Sequence, residues 1–202
     1  MELLQKINNT DSQENKKHRE FPRYFESFVK LSKERTIFLS TEFTKEISSG
    51  LAALLLHYDH QDQDKDITIY INSEGGDVAA LTCIYDVMQM IKAPVKTVAI
   101  GKCYSAGAFL LASGSKGKRY VFPHAEIMIH KLQVGFPMIN KVQIDQESYL
   151  KFLSTINDNI MKILVKHTGQ NIRKIKQDFN GMHDIFLDAK QTIAYGLADH
   201  IL

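Results

Sequence analysis

Ser105 stands where a serine could act as a nucleophile. It lies between Tyr104 and Ala106 in the run Gly101-Lys102-Cys103-Tyr104-Ser105-Ala106-Gly107-Ala108-Phe109. An apolar, β-branched stretch precedes it (Val95, Val98, Ile100) and a small-residue apolar stretch follows (106–112). That is the pattern of a buried strand turning sharply into a helix. Such a turn lifts a hydroxyl off the sheet, and small neighbours let backbone N–H groups approach a reacting carbonyl. The strict elbow has glycine two residues before the serine, and Cys103 stands there instead. Close packing of a glycine- and alanine-rich helix on a sheet accounts for the same residues without any chemistry.

A serine hydroxyl needs a base, normally histidine, whose far nitrogen is held by a carboxylate or amide. Of eight histidines, His130 alone follows directly on a strongly apolar strand pattern, Ile127-Met128-Ile129. That puts it at a strand end near the core, where a purely structural histidine is the plain alternative. His57, His60, His167, His183 and His200 lie in polar or terminal stretches and are expected to be solvated. Gly75-Gly76 follows the strand pattern Ile67–Ile71 much as Gly101–Gly107 follows Val95–Ile100. On adjacent parallel strands both turns would share the sheet edge where ligands bind in open α/β sheets. Glycines there can bare N–H groups toward a developing oxyanion. The sequence has no phosphate-binding loop, dinucleotide fingerprint or metal-ligand spacing, so neither a cofactor nor a metal is expected.

The elements that must position these residues alternate between strand and helix. Residues 8–20 hold no strong apolar residue, so a mobile arm is expected over 1–20, with its Lys16, Lys17, Arg19 cluster solvated. A single domain is expected over 21–202. Thr36–Leu39 reads as the first strand, and 44–59 as a helix with its stripe at Ile47, Leu51, Leu54, Leu55 and Tyr58. Ile67–Ile71 is the next strand, and Asp77 suits the N-cap of a helix that Pro94 terminates. Val95–Ile100 then feeds the serine turn, and two short extended runs follow (120–122 and 127–129). A long helix is expected from Lys141 to His167, closed by Gly169, with an apolar stripe that must meet something. A short helix over Asn171–Phe179, a capping box at Asp188–Gln191 and a terminal strand over Ala198–Leu202 complete the reading. The alternation argues a parallel sheet in an α/β domain.

A formal charge of +2 makes no case for nucleic acid or an anionic membrane surface. The two cysteines, Cys83 and Cys103, sit in apolar surroundings and are expected to be buried, reduced thiols. With no apolar run long enough to span a membrane and no secretion-signal pattern, a soluble cytoplasmic protein is expected.

Six stretches, in this order and separation, resemble the proteolytic subunit of the ATP-dependent Clp protease: Ile69–Gly76, Gly101–Phe109, Gly117-Lys118-Arg119, Ile127–His130, His167-Thr168-Gly169-Gln170 and Ala194–Asp199. The resemblance runs from about Phe25 to Leu202. It implies a crotonase-like α/β spiral of ββα units with a long protruding handle helix, over about 141–168, that interleaves between seven-membered rings stacked face to face. It implies a serine endopeptidase of a self-compartmentalising ring protease. Ser105 would attack the scissile carbonyl, His130 would take and return the proton, and the N–H groups of Gly76 and Ala106 would form the oxyanion hole. Its partners would be a hexameric AAA+ unfoldase that consumes the ATP, unfolded polypeptide substrates and copies of the subunit itself. The alternative is a weakly active or non-catalytic ring subunit that assembles with an active paralogue. An acyl-CoA-processing enzyme on the same fold is a more distant reading.

The sequence departs from the family pattern in four places. Glu74 stands where the family usually has proline. Lys131–Pro137 replaces a glycine-rich stretch that binds substrate backbone, and the N-terminal arm lacks the family's apolar pore segment. The fourth departure concerns the triad acid. Counting forward from Gly169-Gln170, it falls on Asp178. Counting back from Phe186-Leu187 it falls on Asn180, because the connection from Phe179 to Ile185 is two residues longer than usual. Asp178 is the expected acid, since a carboxylate both orients imidazole and stabilises imidazolium; Asn180 and, more remotely, Asp184 are the alternatives.

Overall fold

The computed structural model describes residues 23–131, 146–180 and 183–202. The arm expected over 1–20, residues 132–137 of the substrate-binding stretch and the first turn expected for the long helix (141–145) lie outside them. The chain divides into a segment ending at Glu34, which holds helix α1 (Arg23–Lys33), and a unit over Arg35–Leu202.

In the second unit, β1 (Thr36–Leu39), β2 (Ile67–Ser73), β3 (Val95–Tyr104), β4 (Arg119–Val121) and β7 (His200–Ile201) lie side by side in that order, all parallel. Burial follows the two-residue period of a strand: Ile67, Ile69 and Ile71 are fully buried, while Thr68 and Tyr70 between them are partly exposed. Helix α2 (Lys45–Gln61) starts where the Ile47 N–H donates to Thr44 Oγ1, and α3 (Val78–Met90) where the Ala80 N–H donates to Asp77 Oδ1 at 2.7 Å. These caps satisfy N–H groups that the first helical turn leaves unpaired. Helix α4 (Ala106–Ala112) is buried along its whole length, which its small residues permit.

Strand β3 organises the rest. Its first part pairs with β4, Thr97–Ala99 against Arg119–Val121. Its last residues, Lys102–Tyr104, pair instead with β5 (Glu126–Ile129). The change falls around Gly101, at φ +57°, where a Cβ would come 2.6 Å from Asn72 Oδ1. The same place breaks the β2 register: Ile71 faces Ala99, yet Ser73 faces Cys103. The extra β3 residues form an irregularity that turns the strand's end away from β4.

Beyond β5 come α5 (Gln146–Thr168), closed by Gly169 at φ +71°, then α6 (Ile172–Asn180) and α7 (Ala189–Tyr195), which carries the capping box at Asp188 and Gln191. Between α6 and α7 the sequence pattern shows no strand, but Ile185–Leu187 forms β6, antiparallel on β5. Pairing with β5 makes it a strand. One cysteine expectation also changes: Cys103 is fully buried, and burial pushes its thiol well above the ordinary range, whereas Cys83 is exposed on α3.

Candidate active site

Because β3 and β5 are parallel, the residues that follow them emerge at the same end of the sheet. Tyr104 faces Met128 in the ladder, and the next N–H, that of Ser105, donates to the Met128 carbonyl at 2.8 Å. His130 follows β5 directly. Its Nε2 lies 2.7 Å from Ser105 Oγ. The hydroxyl donates to Nε2 when the ring carries its own proton on Nδ1. The imidazole is mostly shielded, its side chain 15% exposed.

Ser105 has φ +52° and ψ −119°, a conformation that non-glycine residues adopt only under constraint. Two features hold it: the bond to Met128, and the Phe109 N–H donating to the Ser105 carbonyl at 3.2 Å as α4 begins. Gly75, at φ +103°, presses against the same turn. A Cβ on Gly75 would stand 2.7 Å from Ser105 Cβ and 3.2 Å from the Ala106 nitrogen, so only glycine fits. Next to it, Gly76 bridges to Phe43: the Phe43 N–H donates to the Gly75 carbonyl, and the Asp77 N–H to the Phe43 carbonyl. That pattern bypasses the Gly76 N–H. Among the described residues neither it nor the Ala106 N–H donates to another protein group.

The structure does not bring the expected acid to this pair. Asp178 lies on α6, where the Tyr195 hydroxyl donates to its Oδ2 at 2.6 Å and the Lys174 ammonium bonds both its oxygens at 2.9 and 3.2 Å. No hydrogen bond or ion pair joins Asp178 to His130 among the described residues. A phenol and an ammonium one turn away engage this carboxylate instead. Burial first, and then the Asp178 carboxylate, push the Tyr195 phenol far above its usual range. The alternative Asn180 closes α6, and its side chain lies outside the described atoms.

The carboxylate facing His130 is Asp184, its Oδ1 3.9 Å from Nδ1. Strand pairing puts it there. In the antiparallel β5–β6 ladder Ile127 faces Leu187, Met128 faces Phe186 and Ile129 faces Ile185. One step further in the same register, His130 meets Asp184.

Polar and aromatic groups surround this corner. Tyr104 donates to the Glu126 carboxylate and meets the Phe186 ring edge-on at 5.9 Å. Glu74, in the place where a proline was expected, pairs with Lys102 at 2.8 Å, and that contact holds its carboxyl below the ordinary range. Further away, Arg119 is buried and ties several of the recognised motifs together. Its guanidinium donates to the carbonyls of Ala112, His167 and Gly196 and pairs with Asp199 at 2.6 Å. His167, expected to be solvated, instead packs edge-on against Tyr85, with 3.2 Å between its Nε2 and the hydroxyl. Burial, with Lys166 and Arg119 nearby, lowers its pKa to about 4.

Among the described residues no His, Cys, Asp and Glu group could hold a metal, and no helix is long and apolar enough to cross a membrane. A family model described as Clp protease matches residues 17–202.

Proposed function

Since the chain belongs to the Clp protease family, we propose that it is a serine endopeptidase subunit of a self-compartmentalising ring protease. The observation that carries this reading is the 2.7 Å approach of His130 Nε2 to Ser105 Oγ at a strained turn flanked by two N–H groups that donate to no other group among the described residues. In the reaction, Ser105 Oγ attacks the scissile carbonyl carbon while its proton passes to His130 Nε2. The carbonyl oxygen becomes an oxyanion and accepts from the N–H groups of Gly76 and Ala106. His130 then returns the proton to the leaving amine, which departs with the C-terminal part of the substrate. A water molecule, deprotonated in turn by His130, cleaves the acyl-serine ester. Donors aimed at an oxyanion contribute on the order of 10²–10³ in rate, since they are in place before the charge forms.

The substrates would be unfolded polypeptides delivered by a partner AAA+ ATPase, so that ATP is consumed by the partner, in the cytoplasm. Exposed Leu150 and Phe152 on α5 support contact with further copies of the subunit, as a handle helix would make. A second reading is a weakly active ring subunit that needs an active paralogue. It is favoured by one observation, the engagement of Asp178 away from His130.

Treating purified protein with a fluorophosphonate and reading the intact mass separates the two. Labelling that disappears in Ser105→Ala supports the protease. A folded assembly that stays unlabelled with ATPase and paralogue both present overturns it.

A further inference from the structure

We propose that the cavity between the ends of α4 and α5 binds a small phosphate-bearing anion, held by Lys116, Lys166 and Ser115. It lies at the opposite end of α4 from Ser105, and the inference does not depend on the protease reading.

The cavity encloses about 420 Å³, within the range of small-molecule sites. Its floor is buried, formed by Met88, Val95, Gly114 and Arg119. Its rim carries Lys116 and Lys166, and among the described residues no Asp or Glu lines it. Neither lysine has a carboxylate partner there. Lys166 Nζ donates to Gln89 Oε1 at 2.9 Å and to the Tyr85 hydroxyl at 3.4 Å, both neutral. Lys116 makes no hydrogen bond or ion pair among the described residues, whereas nearby Lys118 is paired with Asp66. Two further donors are unspent. Ser115 Oγ accepts from the Val95 N–H at 3.0 Å and has its own proton left to give. The Lys116 N–H donates to no group among the described residues.

Two helices end at this cavity, and free carbonyls at helix ends repel an anion. Here they are capped. The Arg119 guanidinium donates to the carbonyls of Ala112 and His167, and Gln89 Nε2 to that of Ser113. Arg119 also grips both oxygens of Asp199, at 2.9 and 2.6 Å, so its charge is balanced. The charge left uncompensated is that of the two ammonium groups. His167, which also lines the cavity, registers the cations around it: burial first, then Lys166 and Arg119, lower its pKa to about 4. An ammonium is a compact charge with three donors and suits the several oxygens of a phosphate. The planar guanidinium fork that would grip a carboxylate is spent on Asp199. Bound there, the anion ties the end of α4 to the end of α5.

The test titrates inorganic phosphate and pyrophosphate into the full-length protein by calorimetry at constant ionic strength, with succinate as a dianion of the carboxylate class. Saturable binding of the phosphates is expected, weakened roughly tenfold in each of Lys116→Met and Lys166→Met, about the worth of one charge-assisted hydrogen bond. Lys116 is exposed and without a partner among the described residues, so its replacement tests the site without disturbing the fold. In wild type, saturating pyrophosphate should also raise the His167 pKa by roughly one unit, read from its ring proton shifts across pH, because a nearby anion favours the imidazolium. That readout needs no variant. The proposal is overturned if neither phosphate gives saturable heat, or if succinate binds as tightly as phosphate. It is equally overturned if the double variant binds like wild type, or if the His167 pKa does not move under saturating pyrophosphate.

Discussion

Ser105 and His130 hang from neighbouring parallel strands, whereas the candidate carboxylates belong to a helix and a connection that the sheet only partly holds. The first pair is brought to 2.7 Å by the β3–β5 register, and the Ser105 N–H is itself a rung of that ladder. The second region runs from α6 through the connection to β6, a three-residue strand. There, among the described residues, the Asp184 carboxylate stands 3.9 Å from the imidazole, and that of Asp178 accepts from Tyr195. Side chains carried at the ends of ladder rungs, as Ser105 and His130 are, are placed by backbone bonds that cannot shift by one without flipping every side chain. A carboxylate on a connection is placed by that connection's length.

Replacing His130 with alanine breaks the well-held half most severely. Peptidase kcat/KM should fall by roughly 10⁴-fold or more, with an unchanged circular dichroism spectrum. Activity within tenfold of wild type would show that the base lies elsewhere. Gly75→Ala tests how tightly this half is set, because the new methyl meets Ser105 Cβ at 2.7 Å and the backbone is at φ +103°. Displacing the serine should slow labelling by roughly 10- to 100-fold, since small misplacements of reacting groups are costly. Wild-type labelling would mean that the corner yields more than its register suggests.

Tyr195→Phe acts on the other half alone. Loss of the hydroxyl donated to Asp178 should lower unfolding stability by about 1–2 kcal/mol in urea titrations, given the charged acceptor. Labelling should stay unchanged. A matching fall in labelling would tie α7 to the chemistry and erase the contrast between the regions.

The smallest effect lies at the root of the carboxylate-bearing region, at His167 near the end of α5. Its folded pKa of about 4 sits below the ordinary 6.5, so the unfolded chain binds more protons between those values. The stability it contributes is complete above pH 6.5, declines as pH falls and is gone once pH drops through about 4. Discounted for partial exposure, it amounts to about 1 kcal/mol. Comparing urea unfolding of wild type and His167→Gln at pH 7 and pH 4.5 isolates it, and parallel slopes would show the ring to be solvated after all.

The strand and helix order, the caps at Asp77 and Asp188 and the two glycine turns were legible because each is written within a few neighbouring residues. Ser105 and His130 were legible for the same reason, with the resemblance carried by the spaced motifs. β6 was not: Ile185-Phe186-Leu187 becomes a strand by pairing with β5, across the chain. The burial of Arg119 and its hold on Asp199 were likewise invisible, although both residues lie in motifs that the sequence singled out.

By itself, then, the sequence determined the family and pointed to Ser105, His130 and the turns that expose them, since local pattern and strand order suffice for residues at the ends of parallel strands. Only the tertiary structure decided which carboxylate faces His130. Two counts along the chain disagreed between Asp178 and Asn180 because the intervening connection differs in length, and counting along a chain carries no information about pairing across it. The antiparallel rungs of β5 and β6 do carry it: they end with Ile129 opposite Ile185, and the next residues, His130 and Asp184, face each other at 3.9 Å.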